Sequence, residues 1–90
     1  MKYREKPVVV EAFQLGIDCI PEWFVDAVRN SGVITLKRDL EGRPRAEIIT
    51  IEGTMNAGYA DYIIRCVHGE IYPCKPTIFR MTYEEMREND

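Results

Sequence analysis

Asp61-Tyr62-Ile63-Ile64-Arg65-Cys66-Val67-His68-Gly69-Glu70-Ile71-Tyr72-Pro73 is a pair of β-rich runs separated by an X-Gly dipeptide. That pattern specifies an antiparallel hairpin, with His68 and Gly69 as a two-residue turn in which His68 is expected at a positive φ and Gly69 relieves the strain. In this register Val67 faces Glu70, Cys66 faces Ile71 and Arg65 faces Tyr72. Side chains alternate across a strand, so Tyr62, Ile64, Cys66 and Ile71 are expected on an apolar face. Ile63, Arg65, Val67, Glu70 and Tyr72 are then expected on a half-polar one.

Upstream, Pro7-Val8-Val9-Val10-Glu11-Ala12-Phe13-Gln14 is rich in β-branched residues and reads as a strand with Val8, Val10 and Ala12 on one face. After Gly16 and Asp18, the apolar residues Ile20, Trp23, Phe24, Ala27 and Val28 fall at helical spacing, the stripe of a core-facing helix. Pro21 suits its first turn, Glu22 and Asp26 its N-terminal end, Arg29 its C-terminal end, and Ser31-Gly32 its stop. A strand over 33–36, a turn over 39–44 and a strand over 46–52 read as a second hairpin, followed by a short extended stretch over 54–58. Downstream, Cys74-Lys75-Pro76 begins a turn. The alternation of Phe79, Met81 and Tyr83 with Arg80 and Thr82 predicts a last strand over 78–83.

Five or six short strands and one helix imply an α+β fold. It is expected to be a curved, mainly antiparallel sheet, or a small open barrel, packed on one amphipathic helix. Ninety residues fit one domain, assigned to 1–83, with an acidic and flexible tail over 84–90.

Net charge is −3, and its location matters more than its size. Residues 1–83 hold eleven acids and eleven bases, so the excess belongs to the tail. A neutral body is poor material for non-specific nucleic-acid binding, which requires clustered cations. Lys37, Arg38, Arg43 and Arg45 are the one local group of bases, and Asp39 and Glu41 lie among them. No apolar run is long enough to cross a bilayer, and the first residues lead into a strand rather than a signal-peptide core. Cys19, Cys66 and Cys74 form an odd set without a CxxC pair, which suits free thiols in a reducing compartment. The expected location is the cytoplasm.

Cys66, His68 and Cys74 are the most chemical-looking residues, since thiolate and imidazole are the usual zinc ligands and a nucleophile–base pair. In the predicted register Cys74 lies opposite Ile63, on the face away from Cys66, and His68 points outward from the turn. Neither a disulfide nor a shared metal is expected. Asp61 and Glu70 are the one acid pair near a plausible groove, but a hydrogen-bonded Asp61 and an Arg65–Glu70 cross-strand ion pair explain them as well. Trp23, Phe24, Phe13, Tyr62 and Phe79 read as core, because a base-stacking platform needs a basic groove beside it. No catalytic residue, metal or cofactor is assigned. The place to look for binding is the polar hairpin face, Arg65, Glu70 and Tyr72 with neighbouring Lys75, since Tyr and Arg favour buried interface positions.

Two longer runs carry a resemblance. Met1-Lys2-Tyr3-Arg4 with Lys6-Pro7-Val8-Val9-Val10-Glu11-Ala12-Phe13-Gln14 forms one. Asp61-Tyr62-Ile63-Ile64-Arg65 with Gly69-Glu70-Ile71-Tyr72-Pro73-Cys74-Lys75-Pro76 and Ile78-Phe79 forms the other. Together they resemble the small uncharacterised proteins of tailed-phage and prophage genomes that open on an MKYRKKPV-type run and close on a GDYI…GE.YPCKPDIF-type run. The matching runs cover both ends and about half of the chain. This sequence departs from the pattern at Glu5, where the family is usually basic, at Ala60 and Cys66, where glycine is common, and at Thr77, where an acid is common.

The resemblance implies a phage accessory setting without an established activity. With no catalytic set and a neutral body, the expected function is non-catalytic binding of a host or phage protein through the second hairpin and the final strand. The alternatives are a minor virion or assembly component that self-associates through a strand edge, and a nucleotide- or nucleic-acid-binding domain using Lys37, Arg38, Arg43 and Arg45.

Overall fold

Six of the β-rich or extended runs become strands, all but the one over 78–83, and they build two sheets rather than one. The computed structural model describes residues 1–4 and 8–86. Strands β1 (Glu11–Gln14), β5 (Tyr62–Arg65) and β6 (Ile71–Cys74) form a three-stranded antiparallel sheet in the order β1-β5-β6. Strands β2 (Ile34–Arg38), β3 (Pro44–Thr50) and β4 (Gly53–Ala57) form a second, in the order β2-β3-β4. β6 runs close to β3 and β4 without joining their ladder. The expected single curved sheet or open barrel is thus divided at that point. Proline placement fits the division: Pro73 lies on edge strand β6 and Pro44 opens the central strand β3, where a missing N–H is tolerated.

Between β1 and β2 the predicted helix forms as α1 (Glu22–Asp26), capped by Pro21, and widens into a π-helical turn over Ala27–Ser31. It ends at Gly32 with φ 71°, as the Ser31-Gly32 pair implies. Phe24 and Ala27 are buried, Trp23 and Val28 pack beside them, and Ile20 at the start of the stripe stays half exposed. The main core joins Phe24 and Ala27 to Phe13, Leu15, Ile34, Ala46, Ile48, Ala57 and Ile63, so it draws on both sheets and the helix. Phe13 is its aromatic centre, edge-on to Phe24 at 4.9 Å and to Trp23 at 5.6 Å, geometry favoured by the ring quadrupoles. On the first strand it is Phe13, and Leu15 just beyond, that point inward. Val8 and Ala12 are exposed, the reverse of the face their β-branched neighbours advertise.

The predicted strand over 78–83 is a helix, α2 (Pro76–Thr82). Pro76 occupies its first turn, after an extended Lys75, a position where the fixed φ of proline is already helical and its missing N–H costs nothing. Alternation in Phe79, Met81 and Tyr83 misleads because only Phe79 and Tyr83, four apart, find partners. Phe79 stacks on Tyr62 at 3.9 Å and on Tyr83 at 5.0 Å, whereas Met81 is 86% exposed. The aromatic side chains of α2 thereby lie against the β5 face that carries Tyr62 and the buried Ile64. Of the acidic tail, residues 87–90 lie outside the described residues.

Candidate functional site

The β5–β6 hairpin closes one residue earlier than an X-Gly turn requires. Arg65 pairs with Ile71, Ile64 with Tyr72, Ile63 with Pro73 and Tyr62 with Cys74. Cys66 N–H donates to Glu70 O and Gly69 N–H to Cys66 O, so the loop is Val67-His68-Gly69, with Gly69 at φ 88°. This is the three-residue hairpin in which a left-handed glycine ends the turn. Such a one-step shift transfers side chains between faces. Arg65 now shares a face with Ile63 and Ile71, and Tyr72 lies on the other with Ile64. Cys66 and Cys74, expected to face apart, share the Tyr72 face, and both are free thiols. Burial, with the Asp61 charge as a lesser cause, pushes the Cys74 thiol up. Contact with the Cys66 thiol first, and then with the Tyr83 hydroxyl, holds the Tyr72 phenol well above the usual tyrosine range.

The polar residues of the hairpin also change partners. Arg65 pairs with Glu11 across β1, at 3.7 Å, rather than with Glu70. Lys75 leaves the hairpin face and donates to Asp61 Oδ2 at 2.7 Å. Asp61, 4% exposed, accepts from Gly58 N–H with the same oxygen at 2.8 Å. Its backbone joins the knot: Leu15 N–H donates to Asp61 O, Ala60 N–H to Leu15 O, and the Gln14 side-chain amide to Ala60 O. Asp61 and Lys75 therefore hold the 58–61 turn against the end of β1. Ala60, where the related pattern favours glycine, has φ 70° and so keeps a left-handed turn despite its Cβ.

The four basic residues offered for nucleic acid are all engaged. Lys37 and Arg45 both reach Glu47, at 2.8 and 3.6 Å. Arg43 bonds Asp39 and Glu41 and lies over the Tyr59 ring, and Arg38 donates to Gly42 O. The hydrogen bond from Lys37 holds the Glu47 carboxyl below its usual range. Burial raises the Asp39 carboxyl, but hydrogen bonds from Arg43 outweigh it and leave that group low as well. Three of the four bases at this hairpin tip are paired with acids, and Arg38 is held by a backbone carbonyl.

What the structure does bring together is a cleft of about 1000 Å³. Three walls enclose it: α1 with its π-helical turn, the end of the β3–β4 hairpin, and the β5–β6 hairpin. Trp23, Ala27, Val33, Met55 and Ile71 belong to its apolar lining, together with the exposed Ile49 and Ile51. Ile71 and Tyr72 both contribute, although their side chains alternate along β6. Asp26, Glu52 and Glu70 stand exposed around it, one from each wall. Three of the four residues expected to bind, Arg65, Glu70 and Tyr72, line this cleft, and Lys75 does not. The other two walls were missed: Trp23 and Ala27 read only as core, and the π-helical turn, a frequent feature of functional sites, leaves no mark in the sequence. Neither histidine nor cysteine lines the cleft, and no three metal-ligating side chains come together among the described residues. An apolar floor with a charged rim is the kind of surface that holds ligands.

No helix among the described residues is long and apolar enough to cross a membrane. Comparisons with protein-family models, with curated proteins and with solved structures found no match.

Proposed function

We propose that this protein is a non-catalytic binding module, a phage-type accessory factor that holds a segment of a host or phage protein in the cleft between its helix and its two hairpins. The observation that carries this reading is the cleft itself: a large, open, mainly apolar surface assembled from three elements distant in sequence. Monomeric domains seldom leave such surface uncovered without a use for it. The resemblance to phage and prophage proteins supplies the setting. Self-association through a strand edge is the second reading; Lys37 and Arg38 on β2 and Pro73 on β6 discourage pairing at those two of the four edge strands.

The test compares proteins co-purified from bacterial lysate by tagged wild-type chain and by a Met55→Lys, Ile71→Lys double variant shown by circular dichroism to be folded. Selective loss of a discrete partner from the variant is expected. Identical sets of co-purified proteins would remove the cleft from the account.

A further inference from the structure

The rim of the cleft carries a charge pattern that its floor does not explain. Asp26 on α1, Glu52 in the β3–β4 turn and Glu70 just after the β5–β6 loop are all exposed, and none takes part in an ion pair among the described residues. The one cation in the lining, Arg65, has Glu11 as its partner. The tip of the β2–β3 hairpin shows the contrast, since there Asp39, Glu41 and Glu47 are each paired with a base, Lys37, Arg43 or Arg45. Around the cleft the negative charge is left over, and it surrounds an apolar surface on three sides.

Building on the reading of the cleft as a protein-binding surface, we infer that its occupant is a short amphipathic helix, with an apolar face for the floor and lysine or arginine beside it for the rim. Charge complementarity selects the sign of the flanking residues. The helical form follows from the cleft wall. A strand added to β6 would find no N–H at Pro73 and would have to enter where β6 already lies against β3 and β4. A helix needs no backbone partners and presents anchors at i, i+3 and i+4 to a groove of this kind.

Trp23 lines the cleft and is the sole tryptophan of the chain, so its emission reports occupancy directly. Three tryptophan-free helical peptides serve as probes, identical in their leucine stripe and carrying lysine, glutamine or glutamate on the polar face. The lysine peptide is expected to shift Trp23 emission and to bind roughly tenfold more tightly than the glutamate peptide, about a factor of two for each of three exposed charge pairs. Its affinity should fall as salt is raised. The combined variant Asp26→Lys, Glu52→Lys, Glu70→Lys should reverse the preference. Equal binding of all three peptides, or an unchanged preference in the variant, would overturn the inference while leaving the cleft a binding surface. Failure of every peptide to perturb Trp23 would overturn the inference and count against the cleft as well.

Discussion

Replacing Asp61 is expected to loosen the turn that ties β1, β5 and β6 together at one end of the first sheet, and the size of the effect can be apportioned between its bonds. Asp61 Oδ2 accepts from Gly58 N–H at 2.8 Å and from Lys75 Nζ at 2.7 Å, and the residue is 4% exposed. A hydrogen bond to a buried charged acceptor contributes about 1.5–3 kcal/mol, because its loss strands a backbone donor away from water. The Lys75 side chain is 64% exposed, so that ion pair adds no more than about 1 kcal/mol. Asp61→Ala should therefore cost about 2–3 kcal/mol. Asp61→Asn keeps an acceptor for Gly58 and should cost about 1 kcal/mol. Lys75→Ala should cost less than either. Urea unfolding followed by circular dichroism measures all three, and for a domain of this size 1 kcal/mol moves Tm by roughly 4–8 °C. If Lys75→Ala proved as damaging as Asp61→Ala, the exposed ion pair rather than the turn would be the stabilising element, and the reasoning would fail.

Ala60→Gly should raise stability by about 0.5–1 kcal/mol, since Ala60 has φ 70° and the left-handed penalty on its Cβ exceeds the entropy glycine loses; a lower urea midpoint would contradict this. Gly16→Ala should be strongly destabilising, because φ there is 82° and a Cβ would lie 2.6 Å from the Tyr59 ring; thermal melting within 2–3 °C of wild type, roughly the effect of half a kcal/mol, would show that the ring moves aside freely. The Tyr72 phenol, raised by its Cys66 and Tyr83 contacts, binds its proton more tightly folded than unfolded. Its contribution is complete below the ordinary tyrosine value of about 10 and is lost as pH rises above it. Urea midpoints measured from pH 8 to 11 should fall more steeply for wild type than for Tyr72→Phe, and parallel curves would refute the assignment.

The local elements were legible in the sequence wherever a single physical signal dominated. The stripe from Trp23 to Val28 and the stop at Gly32 specify the helix, and the Asp39 to Pro44 turn specifies the hairpin of β2 and β3. Two features escaped because competing signals were of similar strength, and a third because it is not local. His68-Gly69 fits a two-residue turn as well as the end of a three-residue one, and only the cross-strand bonds decide between them. That single step determines whether Cys66 and Cys74 share a face. Phe79, Met81 and Tyr83 satisfy a strand period and, omitting Met81, a helix period; Pro76 was the residue that should have arbitrated. The division into two sheets depends on how β6 meets β3 and β4, a long-range packing question that periodicity does not address. Of the site, the hairpin wall was visible as a polar face, whereas the helix and the β3–β4 wall join it only in three dimensions.

The central claim is that the cleft receives a protein partner. A photo-reactive phenylalanine placed at position 55, inside the cleft, and separately at position 41, in the turn at the far end of β3, tests it in living bacteria that produce the chain. The account predicts a discrete covalent adduct from position 55 that is absent from position 41. Adducts of equal yield from both positions, or from position 41 alone, would contradict it.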